Sequence, residues 1–516
     1  LALVLPAFVS LIVAYGWPAV WTLRTSFQKV NILHPGAGGG FTTRNYSSVF
    51  GAGLAGHFGF ALSLAVVPLV VALLAAPLLA WAAHRGGRVA RWVTRGVLAL
   101  PLAAYAPTAL ALARLNSLSP EQRGADPATT VRSLYWWGTV GLVVALATTL
   151  YLAAVRQRGR RGAWPALAVA AGIAFAAVIA AAVQDFTYSY VSVGGARGGA
   201  TPIIDMYQDG FVRASFGTGA AAATVVLAVL CLLGLGATLV IVLSGLRLEF
   251  DDGVEPTVDP GTRVVGMVLA AAVLLIVAFL SIYGLAPLLG GIFGGGGSRP
   301  PLPASTATIE VNTWAPSLLT TLVAVTAAVA AAFGIGWLRP LGRHSPWLLL
   351  PFGPFLFVGM GPLVLHGFAS RQGSGGLDTF LSLAPPAWIA IPALFVMALL
   401  FRGQAERADA LRRQGRPPAL ARRFLLALPM LGLVFLATWV AHAQDLIWPL
   451  ISVSSAQRLT APVALVQARL QYAAGPGAAP YDLVLPAAVF VLLLLLTVAA
   501  QLFYLDRVAL RVGRPD

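Results

Sequence analysis

The residues that could do chemistry are acids set in apolar surroundings. Two of them occupy matching stretches, V-Q-D-F-T-Y-S-Y-V-S-V over 183–193 and A-Q-D-L-I-W-P-L-I-S-V over 443–453. Gln184 and Asp185 align with Gln444 and Asp445. An ionised acid at membrane depth is costly, so a repeated one asks for a reason. Two readings fit. Gln184, Asp185, Gln444 and Asp445 line a translocation path, bonding a polar solute while Tyr188, Tyr190 and Trp448 stack on it. Alternatively they mark the outer interface, where Tyr and Trp gather in any case. His442 stands three residues before Asp445, the one acid–histidine pair at helical spacing that proton coupling could use. His366 is single in its apolar run and reads as a packing residue. Other chemistry has no seat. Lys29, the only lysine, follows no G-x-x-x-x-G, and neither H-E-x-x-H nor G-x-S-x-G occurs. The single Cys231 offers no thiolate metal set. The expectation is a protein that is not an enzyme and binds no cofactor or metal.

The elements that must position these residues are membrane helices. Of 516 residues, 58% are hydrophobic and 10% charged, against about 25% charged in a soluble domain. Mean hydropathy is +0.83. The apolar runs are continuous rather than alternating, which indicates helices and not a barrel. Runs of the required length, roughly 20 residues, predict an all-α polytopic membrane protein with about 12 transmembrane helices. In one set they cover 1–23, 58–83, 93–115, 133–155, 164–187 and 219–245. In the other they cover 264–293, 315–338, 347–369, 380–401, 424–450 and 482–505. The apolar start at Leu1 lacks a basic n-region and an A-x-A site, so it reads as a first membrane helix rather than a signal peptide. Pro101, Pro107, Pro351, Pro354, Pro385 and Pro386 predict kinks in the third, ninth and tenth helices.

The two sets form two halves, 1–246 and 264–516, joined by an acidic linker at 247–263. A net charge of +16 would suggest nucleic acid in a soluble protein. Here the basic residues fall in loops, so the lipid bilayer and not nucleic acid is the expected partner. If the amino terminus is cytoplasmic, segments 84–95, 156–161, 247–263, 339–343, 402–423 and 507–514 lie inside and hold 22 of the 34 Lys and Arg. That is the positive-inside pattern, with both termini cytoplasmic. Two like-oriented six-helix halves make a parallel repeat.

The halves resemble the two permease subunits of carbohydrate-uptake ABC importers, of the maltose/trehalose/glycerol-phosphate type, fused in one chain. The likeness rests on four stretches. Leu5–Phe27 is similar to the family's opening helix. Phe41–Phe50, F-T-T-R-N-Y-S-S-V-F, is similar to its outside loop. Asp185–Ala222, with G-G-A-R-G-G-A-T, resembles the end of the first subunit, and Leu446–Val466, with W-P-L, the end of the second. The family's cytoplasmic E-A-A-x-x-D-G loop is matched loosely. In the second half D-A-L-R-R-Q-G keeps the frame from Asp409 through Arg412 and Arg413 to Gly415, with Leu428 and Pro429 beyond. In the first half A-A-V-R-Q-R-G, with Arg156, Arg158 and Gly159, keeps only the small residues and the glycine.

The resemblance implies a type I ABC importer permease of the bacterial cytoplasmic (inner) membrane. Both loops would then dock an ABC ATPase dimer that uses the ATP. A solute-binding protein would deliver the substrate, a sugar or related polyol, from outside. A twelve-helix proton-coupled secondary transporter using Asp445 and His442 is the alternative, and a scaffold without transport function a third.

Overall fold

The computed structural model describes residues 2–30, 39–123, 126–156, 163–194, 198–250, 259–294, 302, 304–415, 420–472 and 480–513. The protein is an all-α polytopic membrane protein. Among the described residues nine helices are long and apolar enough to cross a membrane, or ten if one bent pair counts as a span. We label the main elements α1 (Leu5–Ser26), α2 (Leu54–Arg85), α3 (Gly87–Ala103), α4 (Pro107–Ser117), α5 (Pro127–Val155), α6 (Trp164–Val183), α7 (Phe216–Leu243), α8 (Pro260–Phe293), α9 (Thr306–Leu338), α10 (Ile391–Arg413), α11 (Leu420–Ala443) and α12 (Ala487–Arg507).

Nine of the expected spans correspond to such helices, and a tenth, 93–115, is the bent pair. There α3 and α4 meet at 88°. Ala106 leaves the helical region (φ −148°, ψ 74°) because it precedes Pro107, and Pro101 has already removed one helical donor from α3. The other two expectations, 347–369 and 380–401, take different forms. Pro346, Pro351 and Pro354 lie within Gly342–Phe355, which winds as a tight 3₁₀ helix, and a separate short helix follows at Val364–Gly373. Pro385 and Pro386 delay the next helix until Ile391, so α10 runs on past its apolar part to Arg413.

The two halves interleave. α8 lies against α2, α3 and α5, while α1 packs on α7 and α9. α7 packs on Gly342–Phe355, and α12 packs on α3. Glycine allows this crossing to be close: a Cβ on Gly234 of α7 would clash with the Gly353 carbonyl oxygen.

After α7 and after α12 come two short strands, β1 (Arg247–Phe250) and β2 (Val508–Arg511). They pair antiparallel, Arg247 with Arg511 and Phe250 with Val508. β1 lies on α10 and β2 on α5, so each set of helices carries the other's terminal strand. The segment expected as a solvated linker from 247 therefore begins as a strand with Arg247 buried, while 251–258 lie outside the described residues. Arg247 Nε sits 2.6 Å from Glu249 and 2.9 Å from Glu406, and Arg402 pairs with Glu406 at 3.0 Å. A Cβ on Gly403 would stand 2.0 Å from the Leu248 carbonyl oxygen. Gly403→Ala is therefore expected to push β1 off α10 and to destabilise the protein by about 1–3 kcal/mol. Thermal unfolding in detergent measures this; an unchanged midpoint would show that the strand does not bear on the helix.

Among the described residues, parts of the basic segments touch one another. Arg156 joins Arg91 and Arg95 around Asp506. Gly86 crosses Gly266 closely, β1 meets α10, and Arg339 pairs with Asp409.

Candidate translocation site

α6 ends at Val183, and the chain restarts as a short helix at Thr187–Val193. Asp185 explains the restart. Its carboxylate accepts from the Tyr188 amide (3.3 Å), the Ser189 amide (3.2 Å) and the Ser189 hydroxyl (3.1 Å). A carboxylate on free amino-terminal amides stabilises a helix start. The second stretch repeats the device. α11 ends at Ala443, a helix restarts at Ile447–Ser452, and the Trp448 amide donates to Asp445 Oδ2 at 3.4 Å. Asp185 and Asp445 thus share a local job that neither sequence reading foresaw.

The glutamines tie down irregular backbone. Gln184 Nε2 donates to the Phe357 carbonyl (2.8 Å) and its Oε1 accepts from the Gly359 amide (2.9 Å). Gln444 Nε2 donates to the Val484 carbonyl (3.1 Å), while its Oε1 is buried without a protein partner.

These breaks surround a cavity of about 360 Å³. The α3–α4 bend gives one wall with Tyr105, and Gly359–Gly361 gives another. Asp185, Asp445, Gln184 and Tyr188 reach it, together with Tyr135 of α5 and Ser281 of α8. The Tyr188 ring meets Tyr135 edge-on at 5.4 Å and lies so close to Gly138 that a Cβ there would fall 2.5 Å from its hydroxyl.

Trp448 and Gln444 are not among the residues lining this cavity. Trp448 is fully buried elsewhere: its Nε1 donates to the Ser382 carbonyl at 2.8 Å, and its ring covers Gly367. Tyr190 stacks on Phe186 at 4.9 Å. His442 bonds Thr321 (3.2 Å), and no ion pair joins it to Asp445 among the described residues. His366 packs edge-on to Trp21.

The candidate coupling residues separate. Arg158 and Gly159 lie outside the described residues. Arg156 is an internal anchor, with Nη2 3.2 Å from Asp506 Oδ1. Asp409 pairs with Arg339, whereas Arg412, Arg413 and Gly415 are exposed at the tip of α10. Gly415 has φ +71° and its amide donates to the Arg412 carbonyl (3.0 Å), a left-handed helix stop that favours glycine.

Elsewhere Asp378 gathers the amides of Ser455 (3.0 Å) and Ser454 (3.1 Å) and the Ser455 hydroxyl (2.9 Å). Those donors, the Ser455 amide foremost, hold its carboxyl below the usual carboxylate range.

Tyr105, Tyr135 and Ser281 had not been singled out in the sequence. Pro101 and Pro107, which bracket Tyr105, were a usable signal; Tyr135 and Ser281 sit in ordinary apolar runs. No family model matches this chain, and neither a curated protein nor a solved structure is significantly similar to it.

Proposed function

We propose that the chain is the transmembrane permease component of a binding-protein-dependent ABC importer, moving a small polar solute by alternating access. The observation that carries this reading is the cavity at which the paired Gln-Asp breaks converge, between interleaved sets of helices. Broken helices around a buried polar cavity are how membrane transporters expose backbone and side chains to a solute. In this reading the halves have six helices each, and the arginine-rich segments face the cytoplasm of a bacterium.

The exposed Asp409–Gly415 tip then docks a separate ATPase, and a solute-binding protein docks opposite. The resemblance assigns a sugar or polyol as the solute. The reading is tested by a pull-down of the tagged full chain from its own cells for an ATPase, followed by measurement of that ATPase's turnover with and without the chain. Gly415→Pro cannot adopt φ +71° and loses the amide that closes the turn. It is expected to abolish stimulated ATP hydrolysis while circular dichroism stays unchanged. Uptake driven by a pH gradient alone, and abolished by Asp445→Asn, would replace this reading with a proton-coupled transporter.

A further inference from the structure

The walls of the cavity have a chemical bias that the resemblance does not supply. Two carboxylates, Asp185 and Asp445, reach it, and no Lys, Arg or His is among its lining residues. The Arg114 guanidinium lies behind the wall, over the lining Trp137. It donates to the Tyr283 carbonyl (3.1 Å) and stands over the Trp137 and Tyr283 rings at 5.7 and 4.8 Å, so its charge is engaged there.

The carboxamides that would suit sugar hydroxyls are already used or turned away. Both ends of Gln184 are bonded to backbone, and Gln444 does not line the cavity. What remains is acceptor-rich and aromatic. Asp185 is held by three donors, and Asp445 by the backbone amides of Trp448 (3.4 Å), Ile447 and Leu446, so both carboxylates meet only neutral partners. Ser281, 5% exposed, also lines the cavity, its hydroxyl packed beside Gly141. Tyr105, Tyr135 and Tyr188 add rings with negative faces, and 360 Å³ suits a small molecule. A buried carboxylate held only by neutral donors is stabilised further by an opposite charge, which a neutral solute does not bring and an anion makes worse.

We infer that this cavity binds a small organic cation, an ammonium group set against Asp445 and the tyrosine rings. The inference puts an organic cation in place of the sugar or polyol that the resemblance implies, and rests on reading the cavity as the site of the transported solute.

The test is isothermal titration calorimetry on the full chain in lipid nanodiscs. The probes are choline and putrescine, against glucose, maltose and glycerol 3-phosphate. At least one ammonium probe should bind and the other three should not. Asp445→Asn should weaken binding by roughly thirtyfold or more. Tyr105→Leu, which leaves the acids intact, should weaken it roughly two- to thirtyfold. Failure of both ammonium probes, or binding indifferent to both substitutions, would overturn the inference. Binding of glucose or maltose instead would overturn it and leave the transport reading standing. Ammonium binding to a chain that no ATPase accompanies would keep the inference and remove the importer.

Discussion

Asp506→Ala is expected to destabilise the protein by about 3–5 kcal/mol, the usual result of removing one partner from a buried ion pair. Asp506 Oδ1 lies 3.4 Å from Arg91 Nε, 3.4 Å from Arg95 Nε and 3.2 Å from Arg156 Nη2, and Oδ2 accepts from the Trp92 indole (3.3 Å). The three guanidinium side chains are 5, 1 and 11% exposed. Without the carboxylate, three like charges face one another with little water. Arg95 keeps Gln501 (2.7 Å) and the Leu505 carbonyl (3.2 Å), which limits the loss but does not neutralise it. The cluster is not thereby a net source of stability; gathering charges in a buried place is itself unfavourable. Asp506→Asn should lie between, and Arg95→Met on the Asp506→Ala background should recover part of the loss. Denaturant or thermal unfolding in detergent checks the order of the four proteins. A loss below about 1 kcal/mol for Asp506→Ala would show that the arginines repack or hydrate freely.

Trp448→Ala should be comparably damaging, about 3–5 kcal/mol, for a different reason. Trp448 heads the fully buried side chains by volume. Its removal opens a void beside Gly367 and strands the Ser382 carbonyl that its indole serves. Trp448→Phe refills most of the void and should lose less. The experiment also separates packing from transport. A residue stacking on solute would lower uptake with an unchanged unfolding midpoint, whereas Trp448 should lower the midpoint first. Intact stability with lost uptake would return it to the solute path.

The membrane helices were legible because period and length are properties of local sequence. The runs at 219–245 and 264–293 differ from α7 and α8 by only a few residues at their ends. Proline spoke clearly at 101 and 107, where the bend appears between them. At 346–354 several prolines together prevent an α-helix rather than kink one, which is why 347–369 is not a single α-helical span. The pairing of Gln184-Asp185 with Gln444-Asp445 was visible, but its job was not. A capping carboxylate looks identical in sequence to a solute ligand until the helix is seen to stop. Trp448 could not be separated from Tyr188, because which face of a short restarted helix meets a cavity depends on helices from elsewhere in the chain. The pairing of Arg156 with Asp506 is hidden on the same ground, since the two lie 350 positions apart.

The exchanged strands have a consequence for how the polypeptide is joined. β1 is clasped by α10 and β2 by α5, and the strands clasp each other. The covalent bridge across 251–258 is thus mechanically redundant once folding is complete. Two separate polypeptides, 1–250 and 259–516, should find one another when made together and should copurify through a tag on either. In such a split protein Gly403→Ala, nearly silent to assembly in the single chain, would become a dissociating mutation. What the single chain supplies is effective concentration, and the strands are where that supply can be withdrawn.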